Sequence, residues 1–321
     1  MDDKSLKKPW PMWKKLAIIG IVMTIAIPLS VGLGVVIVRA IENSGKHSSP
    51  KRTNTTSIWQ PAVGDSWQIV LLKPIKVNDD GSVTPDVKVF DLDVYDNNAD
   101  TIKALQKADK KVICYFSAGS WENWRDDKDD FHEADLGKVL DGWPDERWID
   151  VRSTNVRSIM EKRIKYAAEK GCDAIDPDNV DGFQNDNGLG MTAKDAVDYI
   201  KFLSETAAFY NMSTGLKNAG DIITDVLEHV HFSVNEQCAE YSECETFAAF
   251  IKADKPVFNI EYPAETLSNV PASVKEEICS HSGNSTGTEG FSTVIKKLTL
   301  DGWVEFCGQE TAYTTELETL D

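Results

Sequence analysis

The chain has 321 residues, of which 34 are Lys or Arg and 52 are Asp or Glu, so its formal net charge is −18. Residues 1–57 carry nine basic and three acidic side chains, whereas residues 58–321 carry 25 basic and 49 acidic ones. An acidic excess of this size repels a phosphate backbone, which argues against nucleic acid as a partner and favours a cationic one.

Residues 16–38 form an uncharged apolar stretch near the start of the chain. As a helix it spans about 35 Å, enough to cross a hydrocarbon core of about 30 Å. A cleaved secretory signal is the alternative, although its apolar region is only about 7–15 residues long. Because five lysines precede the stretch and Arg39 alone immediately follows it, the positive-inside rule predicts a cytosolic tail at residues 1–15. We therefore expect a single-pass type II protein of the cell membrane, with its large domain extracellular.

Residues 39–57 are largely polar and lack apolar periodicity, which predicts a flexible stalk before a domain at residues 58–321. Asn-x-Ser/Thr acceptors at Asn54, Asn211 and Asn284 predict N-glycosylation on the extracellular side.

The six cysteines are an even number, which suits an oxidising compartment. We expect one disulfide between Cys238 and Cys244 and another between Cys279 and Cys307. Cys114 and Cys172 both lie in predicted strands, where a buried free thiol and a third bridge are equally compatible with the sequence.

Beyond the stalk, short apolar runs alternate with segments of helical periodicity. The predicted strands are Trp67–Leu72, Val87–Leu92, Lys111–Ser117, Cys172–Asp178, Ser213–Lys217, Phe232–Glu236, Pro256–Tyr262 and Thr293–Leu298. The predicted helices are Ala99–Ala108, Ser153–Lys170, Ala193–Phe209, Cys244–Ala253 and Ala272–Cys279, with Ser153 and Thr192 as suitable N-caps. Eight strands alternating with helices predict an α/β protein with a (β/α)₈ TIM-type barrel. An open doubly wound sheet is the alternative, but no Gly-x-Gly-x-x-Gly turn follows an early strand.

Five of the predicted strands carry polar residues at their carboxyl ends, where a barrel of this kind places its active site. These residues are Ser117, Asp176 with Asp178 and Asn179, Lys217 with Asn218, Glu236, and Glu261. Apolar strands with polar tips predict a functional site at the mouth of the barrel. The structural alternatives are a turn with Asx caps at residues 176–179 and an ordinary ion pair for Glu236.

Two carboxylates on different strands, such as Asp178 and Glu236, are what glycoside hydrolysis requires. Alternation along the strand places Asp176 beside Asp178 on the inner face if Ile175 packs on the helices. One of the two aspartates then has a raised pKa unless a cation such as Lys217 lies near it. The reaction needs no metal or other cofactor, and we predict none.

Tryptophans Trp121, Trp124, Trp143 and Trp148 follow the third predicted strand. Indole rings in such a region stack against sugars in a binding cleft, or serve only to pack the core or a loop.

Four runs of sequence resemble glycoside hydrolase family 114, the endo-α-1,4-polygalactosaminidases. They are Cys114–Arg125, Gly171–Phe183, Gly215–Ala219 and Val234–Cys238. The runs occur in the order of the family, and the likeness extends from Trp59 to Cys307. The Asp-Pro-Asp-Asn-Val-Asp-Gly run at residues 176–182 is the most specific of these motifs.

The resemblance implies a barrel that cuts α-1,4-linked galactosamine in a partly deacetylated galactosaminogalactan, an exopolysaccharide of fungal biofilm matrix, by a retaining mechanism. Carried over by motif, the catalytic carboxylates are Asp178 as nucleophile and Glu236 as acid/base. The inferred substrate contacts and pKa-setting neighbours are Asp91, Asp93, Tyr115, Ser117, Trp121, Arg152, Asp176, Asn179, Lys217, Asn218 and Glu261. The expected partner is thus a cationic polysaccharide, and we expect a monomer.

Two other functions stay open on the sequence. One is a membrane-anchored barrel that binds polysaccharide without cleaving it, and the other is a glycosidase for a different amino sugar polymer.

Overall fold

The computed structural model describes residues 58–263 and 270–319. Its strands are β1 (Trp67–Val70), β2 (Val89–Asp93), β3 (Lys111–Ser117), β4 (Ser120–Glu122), β5 (Leu136–Leu140), β6 (Trp143–Ile149), β7 (Ala174–Asp178), β8 (Ser213–Lys217), β9 (Phe232–Glu236), β10 (Val257–Glu261), β11 (Ser292–Ile295), β12 (Trp303–Phe306) and β13 (Tyr313–Thr314). Its α-helices are α1 (Ala99–Lys107), α2 (Thr154–Lys170), α3 (Ala193–Phe209), α4 (Ile223–Val226), α5 (Cys244–Lys252) and α6 (Ala272–Cys279).

The predicted tail, anchor and stalk lie outside the described residues, as does Asn54. Within the described ranges, no helix combines the length and apolar character needed to cross a membrane.

Eight strands form one parallel sheet in the order β1-β2-β3-β7-β8-β9-β10-β11. They are the eight predicted strands, with ends that differ by a few residues at most sites. Strands β12 and β13 continue the sheet in antiparallel fashion. Because the strand order never reverses along the chain, the doubly wound alternative is wrong. The sheet curls as in a (β/α)₈-type glycoside hydrolase fold.

Side chains join the first and last parallel strands. The indole nitrogen of Trp67 on β1 donates to the carbonyl of Ser292 on β11 at 2.7 Å. Lys296, just beyond β11, donates to the side-chain oxygen of Gln68 on β1 at 3.0 Å and to the carbonyl of Asp301 at 2.6 Å. Burial lowers the pKa of Lys296 to about 7. These bonds hold the two edges of the curled sheet together.

Alternation along the strands creates two apolar layers. One layer contains strand residues such as Ile69, Phe232 and Phe258 and lies inside the curled sheet. The other contains the alternate strand residues, including Ile175 and Leu216, packed against the helices. Since Ile175 faces the helices, alternation along β7 turns Asp176 and Asp178 inward, as the sequence predicted.

The two predicted N-caps are confirmed. The Ser153 hydroxyl accepts a hydrogen bond from the backbone N–H of Val156. The Thr192 hydroxyl accepts one from the backbone N–H of Asp195, and the Asp195 carboxylate accepts the backbone N–H of Thr192, which completes a capping box. These caps fix the starts of α2 and α3, the two long helices that flank β7.

A three-stranded antiparallel sheet, β4-β6-β5, follows the carboxyl end of β3. The sequence analysis predicted no element in this region. Its strands are short and carry exposed charged residues, so their stability depends on pairing with one another rather than on an apolar pattern that can be seen within each strand. This insertion stands beside the mouth of the curled sheet.

The structure contains three disulfides. The predicted Cys238–Cys244 and Cys279–Cys307 bridges are both present. The third joins Cys114 to Cys172, so the question that the sequence left open is answered by a bridge between β3 and the segment that leads into β7.

We expect the Cys114–Cys172 bridge to stabilise the fold more than the Cys238–Cys244 bridge. The two pairs are separated by 58 and 6 residues, and loop-closure entropy then corresponds to about 4 and about 2 kcal/mol. Paired replacement by Ala at each bridge, followed by denaturant unfolding, should show the larger loss of unfolding free energy for Cys114 and Cys172. The opposite ranking would contradict this account.

Candidate active site

A cavity of about 1400 Å³ opens at the carboxyl ends of the parallel strands. It exceeds the range of about 300–1000 Å³ that is usual for small-ligand pockets, so it has room for an extended ligand. The antiparallel sheet β4-β6-β5 forms part of its wall. The predicted site residues that line it are Asp93, Tyr115, Asp178, Asn179, Lys217, Asn218 and Glu236.

Three neighbouring strands turn sharply where they reach the cavity. The residues that follow β7, β8 and β9 are Asn179, Asn218 and Gln237, with φ of 59°, 49° and 59°. Left-handed backbone is uncommon for residues other than glycine, although Asn tolerates it well. The abrupt turns leave the last side chain of each strand at the cavity floor.

Gly119 allows the loops after β3 and β7 to meet. A Cβ atom at this position would lie 1.6 Å from the carbonyl oxygen of Asn179. No other amino acid therefore fits without moving Asn179, the neighbour of Asp178.

Asp178 is held by two donors. Its Oδ2 accepts the Tyr115 hydroxyl at 2.8 Å, and its Oδ1 accepts the backbone N–H of Asn179 at 2.8 Å. Both bonds fix the orientation of the carboxylate at the cavity floor.

Glu236 is also held through both of its oxygens. Its Oε1 accepts the Tyr262 hydroxyl at 2.6 Å, and its Oε2 accepts Asn218 Nδ2 at 3.1 Å. Burial acts to raise the pKa of Glu236, but Lys217 and these donors outweigh it and lower the pKa. In the empty cavity Glu236 is therefore ionised at neutral pH.

Lys217 lies between the two carboxylates and is almost fully buried. Its Nζ is 3.6 Å from Asp178 Oδ1, 3.6 Å from Glu236 Oε2 and 3.7 Å from Asp176 Oδ2. Burial acts to lower the pKa of Lys217, but the carboxylates raise it well above its usual value. The two nearest oxygens of Asp178 and Glu236 are thus at most twice 3.6 Å apart.

Asp91 and Asp176 form a second carboxylate pair below the cavity floor. Both are fully buried. Burial, and then the charge of Asp176, raise the pKa of Asp91 well above its usual range. Burial also raises the pKa of Asp176 to about 7, against the charge of Lys217. Asp91 therefore keeps a proton, and the pair carries at most one negative charge next to Lys217.

Asp93 lines the cavity but is already paired. Its Oδ2 accepts from Arg125 at 2.6 Å, and Arg125 also donates to Glu122 at 2.9 Å. Ser117 lies deeper, with its hydroxyl 2.5 Å from that of Ser120.

Three other predicted contact residues do not line the cavity. The Trp121 indole donates to the carbonyl of Lys128, and Arg152 pairs with Asp150. Glu261 faces away from the mouth, where it accepts from the backbone N–H of Ala239 at 2.9 Å.

Several residues of the cavity were not among the predicted site residues. They include Tyr262, Asp181 and Glu146. Of the four tryptophans considered for sugar stacking, Trp124, Trp143 and Trp148 line the cavity, and the first two are more than half exposed. A signal for Tyr262 was present, because Phe258 and Ile260 face inward and alternation places residue 262 on the same face. Burial, and then Asp178, raise the pKa of Asp181 to about 6.

The cavity wall is strongly acidic. Nine carboxylates line it, against three cations, namely Arg125, Lys138 and Lys217. Each of these cations is bound by a carboxylate of the wall. The cavity therefore attracts a cationic ligand. Among the described residues of its wall, no unpaired cation is available to bind an anionic ligand.

A single group of side chains in the described ranges has the spacing of a metal site, and it consists of Cys238, Cys244 and Glu261. Both sulfurs belong to one disulfide, so no thiolate is available there.

The model of Glycoside-hydrolase family GH114 matches residues 48–312. Among solved structures, Ega3 from Aspergillus fumigatus in complex with galactosamine is 50% identical to this chain. The match covers 79% of this chain and 99% of Ega3, with a TM-score of 0.73. The glycoside hydrolase domain of PelA from Pseudomonas aeruginosa is 12% identical, over 73% of this chain and 95% of that domain, with a TM-score of 0.57. This second likeness shows the fold alone. No curated protein matches the chain significantly.

Replacing Tyr262 with Phe removes the hydrogen bond to Glu236 and keeps the ring. Because that bond stabilises the ionised carboxylate, its loss raises the pKa of Glu236. The limb of the pH profile of kcat/KM that Glu236 governs should move to higher pH by about one unit. Tyr166→Phe removes a hydroxyl at an exposed position on α2 and should leave the profile unchanged. A limb that stays in place or moves to lower pH would show that the Tyr262 bond does not set this pKa.

Proposed function

This chain belongs to glycoside hydrolase family 114, and on that basis we propose that it is an endo-acting enzyme that cleaves α-1,4-linked galactosamine in partly deacetylated galactosaminogalactan. The observation that carries the proposal is the placement of Asp178 and Glu236 on one cavity floor, both in contact with Lys217. Ega3, which was solved with galactosamine and is 50% identical to this chain, supports the choice of sugar.

The acidic wall favours the same substrate class. Galactosamine units carry ammonium groups, and every cation in the wall is already paired with a carboxylate. An endo mode of action fits a cavity of about 1400 Å³ that is open to solvent.

We assign a retaining mechanism. It requires carboxyl groups about 5–5.5 Å apart, whereas an inverting enzyme leaves about 6.5–9.5 Å for a water molecule. The contacts with Lys217 keep the nearest oxygens of Asp178 and Glu236 at most twice 3.6 Å apart. This limit includes the retaining distance and only the lower end of the inverting range.

In the first step, Asp178 bonds to the anomeric carbon as the glycosidic C–O bond breaks, and Glu236 gives its proton to the leaving oxygen. In the second step, Glu236 takes a proton from water, whose oxygen then replaces Asp178 at the anomeric carbon. The enzyme returns to its starting state with one glycosidic bond hydrolysed.

Glu236 must gain a proton before it acts as an acid. It is ionised in the empty cavity, because Lys217, Tyr262 and Asn218 outweigh burial. A sugar chain in the cleft displaces water, which disfavours the charged carboxylate and raises its pKa. Asp178 keeps its donors from Tyr115 and Asn179 on both oxygens, as suits a carboxylate nucleophile.

We place the enzyme outside the cell, on a type II anchor at residues 16–38, as a monomer. The apolar stretch and the basic tail that precedes it support the anchor. Asn211 and Asn284 are exposed, as glycosylation acceptors must be.

The wild-type enzyme should release new reducing ends from galactosamine-rich polymer and fewer from the fully acetylated or galactose-only polymers. Asp178→Asn and Glu236→Gln should each abolish this release without loss of thermal stability, because they remove a reacting group and keep its volume. Measured binding without new reducing ends would instead support the binding barrel. Preferred cleavage of another amino sugar polymer would support the second alternative.

Azide rescue separates the roles of the two carboxylates. With Asp178→Ala, azide should attack the sugar directly and give a β-glycosyl azide, because the nucleophile is missing. With Glu236→Ala, azide should displace Asp178 from the covalent intermediate and give an α-glycosyl azide. NMR of the anomeric proton distinguishes the products, and the reverse pattern would exchange the two roles.

A further inference from the structure

Glu146 belongs to the cavity wall but to none of the parallel strands. It lies on β6 of the antiparallel sheet, opposite Glu122 of β4. Its side chain is 9% exposed and faces the cavity.

A chain of hydrogen bonds fixes Glu146 relative to Asp178. Its Oε2 accepts the Ser120 hydroxyl at 2.5 Å, and that hydroxyl lies 2.5 Å from the hydroxyl of Ser117. Asn179 Nδ2 donates to Ser117 at 3.0 Å, and the backbone N–H of Asn179 donates to Asp178. The carboxylate is therefore positioned in advance beside the floor of the cavity.

The other oxygen of Glu146 has no hydrogen-bond or ion-pair partner among the described residues. Arg125, whose charge acts on Glu146, is committed to Asp93 and Glu122. Burial, followed by the charge of Asp178, raises the pKa of Glu146. This oxygen is open to the cavity, where a cationic group can form a charge-assisted hydrogen bond with it.

The remaining carboxylates of the wall are paired or exposed. Asp178 and Glu236 contact Lys217. Asp181 accepts from Asn185 Nδ2 at 3.5 Å. Asp96, Asp141 and Asp186 are exposed, so water and salt screen them. Asp93 and Glu122 share Arg125.

We propose that Glu146 determines specificity, because its free oxygen binds the ammonium group of an amino sugar unit held beside Asp178. This rests on the proposed function and adds to it the residue that distinguishes a free amine from an acetamide. An ammonium group pairs with the carboxylate charge, whereas an acetamide is neutral and larger.

The first test measures binding rather than activity. Galactosamine should raise the thermal unfolding temperature of the wild-type enzyme more than galactose or N-acetylgalactosamine does. Glu146→Gln keeps the shape of the side chain and removes its charge, so it should lose this difference. Asp141→Asn removes one negative charge from an exposed position in the same wall, where Asp141 pairs with no described cation, and should behave as the wild type.

The second test measures cleavage of a partly acetylated polymer. Glu146→Gln should raise KM for deacetylated chains by about tenfold, with kcat within about twofold, since loss of the carboxylate charge weakens the bond to the ammonium group by about 1.4 kcal/mol. Mass spectrometry of the products should show free amine units enriched next to the cut for wild type and Asp141→Asn, but not for Glu146→Gln.

An unchanged preference in Glu146→Gln would overturn the proposal, and so would an equal effect of Asp141→Asn, which would indicate only the overall charge of the cleft. The proposed function fails separately, if the wild type releases no reducing ends from galactosamine polymer. A wild type that cleaves and a Glu146 variant that keeps its preference would reject this inference alone.

Discussion

The site depends on one buried cation. Lys217, on β8, lies within 3.7 Å of carboxylates from both neighbouring strands, β7 and β9. An ammonium group in the interior is tolerated only when it is paired, and three carboxylates this close would repel one another without it. The cation and the carboxylates therefore require each other, and their mutual attraction sets the spacing between Asp178 and Glu236.

The carboxylates below Lys217 differ in charge from those above it. Below it, Asp91 keeps a proton and the pKa of Asp176 is raised to about 7, so the Asp91 and Asp176 pair has at most one negative charge. Above it, Glu236 is ionised and is fixed by donors on both oxygens. Negative charge is thus left uncompensated at the cavity floor. A cationic sugar balances this charge, which is why the acidic composition of the domain and the chemistry of the site point to one class of substrate.

Sequence alone predicted the parallel strands and the pair Asp178 and Glu236, because apolar runs with polar carboxyl tips and the family motifs are both local signals. It placed Glu261 in the site, whereas alternation turns that residue outward and Tyr262 inward. The sequence left the bridge between Cys114 and Cys172 open, because it joins segments 58 residues apart that no local pattern brings together. It missed the β4-β6-β5 sheet for another reason. Strands β5 and β6 are joined by a local Asp141-Gly142 turn, but their charged residues hide the alternation by which a strand is recognised.

On the assignment proposed above, catalysis and selection of the substrate come from different elements of this fold. The parallel strands hold the two reacting carboxylates through a buried ion network, where a change in charge disturbs every member. The antiparallel sheet holds Glu146, whose connection to Asp178 runs through the hydroxyls of Ser117 and Ser120. Hydroxyls reorient to donate or accept, so a neutral residue at position 146 leaves the catalytic pair intact. The preference for a free amine is therefore separable from the ability to cut the chain.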